Sequence, residues 1–239
     1  MPYRRLPKTD QARIRALKAA VESSVCNGVY SNVLSHNTYH RAKNFLARFS
    51  NEVTVYRRCV GEQSSKKGNK EYEAALKKAR MYVSHFIQVL SMSIVRGEIA
   101  RSKRPYYGLP EDEDTIPNLF SEASVLEWGV RVIEGERRRQ GEGGIPIYNP
   151  TMGRVSVAFE MFKEMYERQQ KLQQKTSTAL QNISDMRFEA DEIIFEAWGE
   201  IEKAFAGFQG EERVRKCAEY GVIYYDRPDR KAKKQKEND

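Results

Sequence analysis

The residues best suited to metal chemistry are the three histidines. His36 and His40 stand four apart near the start of a predicted helix and therefore share a face, and His85 sits in a later helix. Together they would form a three-histidine metal site of the kind catalytic zinc uses. No carboxylate stands at the Glu-x-x-His spacing of helical di-iron bundles, and there is no HExxH. The simpler reading places His36 and His40 at a loop edge and makes His85 a hydrogen-bonded core histidine.

A second candidate is the acidic run Glu189, Asp191, Glu192, Glu196, Glu200 and Glu202, which has the density of a carboxylate-rich active-site helix. Set against the apolar stripe of the same helix, these residues fall mostly on its polar side, which predicts a solvated face. The chain has no GxSxG, P-loop or Rossmann glycine pattern, and Gly141-Glu-Gly-Gly144 lacks the lysine of a phosphate loop. A non-enzymatic role without a cofactor follows, with a metal-dependent enzyme as the third reading.

The third candidate is cationic. Arg4 and Arg5 beside Tyr3, Lys66-Lys67, Arg101, Lys103 and Arg104 beside Tyr106-Tyr107, the run Arg137, Arg138 and Arg139, and the tail combine phosphate-contacting groups with rings that could stack on bases. No helix-turn-helix, RRM, KH or zinc-finger signature accompanies them. Nucleic-acid binding through the basic N-terminal half is therefore the runner-up. The expected contacts are Arg4, Arg5, Arg101, Lys103, Arg104, Arg137, Arg138 and Arg139.

These residues need helices to position them. Glu71–Glu98 is the longest apolar-periodic stretch. Leu76, Ala79, Val83, Phe86, Leu90 and Ser93 form one stripe, and Ile87, Val89, Ile94 and Val95 widen it until the second half is apolar most of the way round. Such a helix is expected to be wrapped by others. Helices are also expected at 10–26, 35–60, 121–139, 151–175 and 178–208, with a short one from Glu211. A hairpin is expected near Lys175–Thr178, where the stripe turns polar; one continuous helix is the alternative. Asn149-Pro150 is read as a helix start. Gly97, Gly129 and Gly135 each cost a helix about 1 kcal/mol, which predicts close packing there.

The phrases SHFIQVL…RGE, YGL, WG…GERRR and GGIPIYNP resemble those of a family of helical proteins common in Bacteroidota. The resemblance covers about residues 75–225. It implies a cytoplasmic helical fold and no activity, and it contributes no site residues.

The net charge of +8 is unevenly distributed. Residues 1–108 hold 21 Lys/Arg against 7 Asp/Glu, and residues 109–226 hold 14 against 23. The two halves should attract, within one chain or between two. The opening MPYRRLPKTD leads into a helix rather than an apolar signal segment, and no stretch is long enough to span a membrane, so the expected location is the cytoplasm. Cys26, Cys59 and Cys217 lack CxxC spacing and read as reduced core thiols.

The sequence thus predicts an all-α, antiparallel helical bundle of about six main helices in two similar halves, 1–108 and 109–226. A disordered basic tail, 227–239, follows, and a minor β pairing joins 145–148 to 222–225. The predicted role is a helical scaffold or protein-interaction protein, with a protein partner or a second copy held through the charged halves.

Overall fold

The computed structural model describes residues 3–25 and 33–225. Its order is β1 (Tyr3–Arg4), α1 (Asp10–Val25), α2 (His36–Gln63), α3 (Lys66–Val95), a 3-10 helix (Arg101–Tyr107), α4 (Glu122–Gly141), α5 (Met152–Ala204), α6 (Gly210–Glu219) and β2 (Tyr224–Tyr225). The fold is all-α with one small antiparallel strand pair. That pair joins Tyr3 to Tyr225 and Arg4 to Tyr224, so 222–225 finds the chain's beginning and not 145–148. The Arg5 amide extends the ladder by donating to the Ile223 carbonyl. Cys26, the Asn27-Gly28 helix stop and the tail 227–239 lie outside the described residues.

The expected hairpin near 175 is absent, and α5 runs unbroken for 53 residues. Lys175–Thr178 contains polar residues but no Gly or Pro to break a helix. The inward positions pass through it in phase: Leu172 and Thr176 are partly covered, and Ala179 and Ile183 are buried. Asn149-Pro150 is a turn with a cis peptide bond, bracketed by an isolated bridge between Tyr148 and Thr151, and the helix starts after it at Met152.

The chain forms two compact units, Met1–Val60 with Lys175–Asp239, and Gly61–Gln174. This division differs from the 1–108 and 109–226 halves expected from charge, because helices α2 and α5 each contribute to both units.

In the first unit, Leu17, Ala20, Phe45, Phe49, Ile183, Ile193, Ile194, Trp198 and Ile201 make the core. Residues 1–60 carry 11 Lys/Arg against 3 Asp/Glu, and residues 175–225 carry 6 against 10. These opposite excesses meet within the unit. Arg13 forms a two-bond fork with Asp191 at 2.9 Å each, and Arg187 does the same with Asp10. Arg41 pairs with Glu196 and Arg4 with Glu202. Glu200 accepts from the Ser35 amide and the Thr38 hydroxyl at the start of α2. Much of the acidic run is therefore a set of ties to α1 and α2 rather than a solvated face. Cys59 and Cys217 are free, buried thiols, as expected, and burial raises the pKa of Cys217.

In the second unit, Ala79, Val83, Phe86, Ile87 and Leu90 of α3 pack with Tyr107, Val125, Val132, Val155 and Phe162. The α4 glycines are explained by close packing. A Cβ at Gly129 would stand 2.2 Å from the Phe159 ring, and one at Gly135 would stand 2.6 Å from Tyr107. Gly97 has open space around it instead, and its φ of +74° ends α3 in the left-handed region.

Candidate interaction surface

The site lies in the second unit and is built outward from a buried ionic clamp. Glu136 and Arg139 sit one turn apart on α4, and both are buried. Arg139 donates from Nε to Glu136 Oε2 at 2.9 Å and from Nη2 to Oε1 at 2.7 Å. The Tyr107 hydroxyl donates to Oε2 at 2.6 Å, and the Gln140 amide donates to Oε1 at 2.8 Å. Burial pushes the Glu136 carboxyl up, but the bonds from Arg139, Tyr107 and Gln140 outweigh it and hold the group below the usual carboxylate range. Burial, then the bond to Glu136, pushes the Tyr107 phenol well above its ordinary value. With the two ions forked to each other and held by Tyr107 and Gln140, the arrangement is a structural tie.

The clamp fixes a lip. Arg139 Nη2 also donates to the Ile145 carbonyl at 2.7 Å, and the Ile147 amide points at Glu136 Oε1. A Cβ at Gly144 would stand 2.6 Å from the Arg139 guanidinium, so the chain passes close over it. Ile147 is buried, whereas Ile145 is 76% exposed and Tyr148 75% exposed. Between this lip and α3 lies a cleft of about 660 Å³, lined also by Val89, Ser93, Arg96, Ile99 and Lys103. Its charges are already matched: Arg96 is forked to Glu98, and Lys103 is paired with Glu142.

Beside the cleft runs the outer face of α3. From Met81 to Val95 the sequence contains no Asp, Glu, Lys or Arg. Val83, Phe86, Ile87, Leu90 and Ile94 face inward, and Met81, His85, Gln88, Met92 and Val95 face out at spacings of four and three. Met81 and Met92 are more than half exposed, and Val95 is 75% exposed. This helix was expected to be wrapped, yet one face is open. His85 belongs to that open face and is exposed, not a core histidine. His36 and His40 are exposed at the start of α2 with rings 4.2 Å apart, in the other unit. Among the described residues no group of three or more His, Cys, Asp or Glu is placed to hold a metal.

The predicted nucleic-acid contacts are divided between the two units. Arg4 and Arg5 belong to the first unit and the others to the second. Arg104 is buried, donating to the Pro110 and Glu113 carbonyls and pairing with Asp114. Arg101 binds the Glu111 and Asp112 carbonyls and Asp114. The basic cluster thus folds the acidic loop 110–114 onto itself. Arg139 is in the clamp, Arg138 lies over the Tyr106 ring at 4.0 Å, and Arg4 pairs with Glu202 beneath Phe195. Arg5, Arg101, Arg137 and Arg138 are exposed.

Sequence reasoning singles out Tyr107, Glu136 and Arg139 separately but not the pairing of Glu136 with Arg139, whose Glu-x-x-Arg spacing is the visible signal. It also missed the meaning of the uncharged run, which is legible as an absence of charge over 15 residues of an otherwise charged chain. No family model, no curated protein and no solved structure matches the chain.

Proposed function

We propose that the chain is a non-enzymatic helical interaction protein whose docking surface is the uncharged face of α3 together with the Ile145–Tyr148 lip. The observation that carries this reading is the exposure of Met81, Met92, Val95, Ile145 and Tyr148 on one unit, around a cleft whose ions are already paired. Exposed apolar side chains on a rigid support are what a protein partner buries, and aromatic anchors contribute most. The clamp supplies the support by fixing the lip before any partner arrives. A nucleic-acid role would draw on the exposed Arg5, Arg101, Arg137 and Arg138. Among the described residues no helix is long and apolar enough to cross a membrane.

Selection of displayed 15-residue peptides on the immobilised chain tests the proposal. Amphipathic peptides should be enriched, and their binding should fall at least tenfold in Met92→Glu and in Tyr148→Ala while Phe188→Ala leaves it unchanged. No enrichment, or binding indifferent to both surface variants, would contradict the assignment.

A further inference from the structure

We propose that the cleft between α3 and the lip is a ligand site for an apolar carboxylic acid, bound as its carboxylate on Arg139. The charges around the cleft are matched, but its hydrogen-bond donors are not. Arg139 lines the cleft and is only 4% exposed. Its Nε donates to Glu136 and Tyr107, and its Nη2 donates to Glu136 and the Ile145 carbonyl. Nη1 makes no hydrogen bond among the described residues. A buried guanidinium thus keeps two N–H groups for an acceptor that the chain does not supply. The bonds on Nε and Nη2 hold the planar group still, so a ligand on Nη1 immobilises little side chain.

Gly144 keeps the approach to that nitrogen clear. Its φ is not positive, so the backbone does not demand glycine there. A Cβ would stand 2.6 Å from Nη1 and 2.8 Å from the Arg139 carbonyl. Gly144 lines the same cleft, and its missing side chain leaves Nη1 uncovered on that side.

Size and lining set the class of ligand. About 660 Å³ is far more than a lone ion fills and lies within the range of small-molecule sites. Val89, Ile99 and Ile147 supply apolar wall. Glu98, Glu142 and Glu136 balance the three cations Arg96, Lys103 and Arg139. A phosphate dianion would meet as much negative charge as positive. A carboxylate brings one charge and two acceptor oxygens for the two N–H groups, and its charge-assisted bond is about twice as strong as that of a neutral amide.

Ligand-observed NMR titration of the full chain tests the proposal. The probes are phenylbutyrate, its neutral match phenylbutyramide, and the bare anions acetate and inorganic phosphate. Phenylbutyrate should bind with a Kd on the order of 1 mM, and about fivefold or more tighter than each of the other three. An N-acetylated Ala-Ala-Phe peptide with a free C-terminus offers the same group from a second source; the tighter of the two acids identifies the source, and binding of either supports the site. Ala100→Trp, at an exposed lining position away from the clamp, should weaken the acid about fivefold or more. Arg139→Gln, checked by its helical spectrum, should bind acid and amide alike. Met92→Glu lies outside the cleft lining and should leave acid binding unchanged, so failure of the docking face and failure of this site read out separately. No binding of either acid at about 10 mM, equal binding of acid and amide by the wild type, phosphate bound as tightly as the acid, or indifference to Ala100→Trp would overturn the proposal.

Discussion

The C-terminal stretch of α5 and the outer face of α3 treat charge in opposite ways. The first carries an acid at almost every outward turn, and most of these acids are answered by an arginine or by a donor at the start of α2 in the same unit. The second carries no charge for 15 residues and leaves its apolar side chains unanswered. Paired charges consume their own specificity in holding the fold. An uncharged exposed face contributes nothing to the fold that the structure shows, and its energy is recovered only when something covers it.

The sharpest break in this comparison is at the clamp. Glu136→Ala leaves the Arg139 charge buried without its partner and should destabilise the chain by about 3–5 kcal/mol. Urea unfolding measures this, and a loss below about 1 kcal/mol would show that Arg139 finds other acceptors. Arg13→Ala removes a half-buried fork and should cost about 1.5–3 kcal/mol, with a coupling to Asp191 visible in a double-mutant cycle. High pH acts on both units at once. Tyr72, Tyr107 and Tyr224 all have pKa values raised above the ordinary phenol by burial and a neighbouring carboxylate. Below about pH 10 they are protonated in both folded and unfolded chains; above it the unfolded chain loses those protons first, so stability should fall as pH rises through and beyond that value. Thermal melts from pH 8 to 11 check the direction. The smallest effect belongs to the open face: Met92→Gln should change stability by no more than about 0.5 kcal/mol, because that side chain is more than half exposed.

The helices were legible because their stripes are long: Val83, Phe86 and Leu90, or Ile183, Ala190 and Ala197, repeat at helical spacing and are buried. The unbroken α5 was harder to read, since Lys175–Thr178 looks like a junction by polarity while lacking any residue that breaks a helix. The strand pair was missed because Tyr3-Arg4-Arg5 reads as a cationic segment, and pairing to Tyr224–Tyr225 is a property of the folded unit. Two residues of the basic clusters were misplaced for a related reason. Arg104 and Arg139 look like surface charge in a linear reading, and only the fold shows the carbonyls and carboxylate that bury them. The glycines were read correctly at 129 and 135, where the ring of Phe159 and the chain at Tyr106–Tyr107 leave no room for a methyl group.

The uncharged face of α3 with the Ile145–Tyr148 lip is the proposed docking surface, and binding of the peptides selected on the chain measures it. Their affinity should fall at least tenfold in Met92→Glu and stay unchanged in Val157→Glu, exposed on α5. Equal affinity for both variants would contradict the assignment.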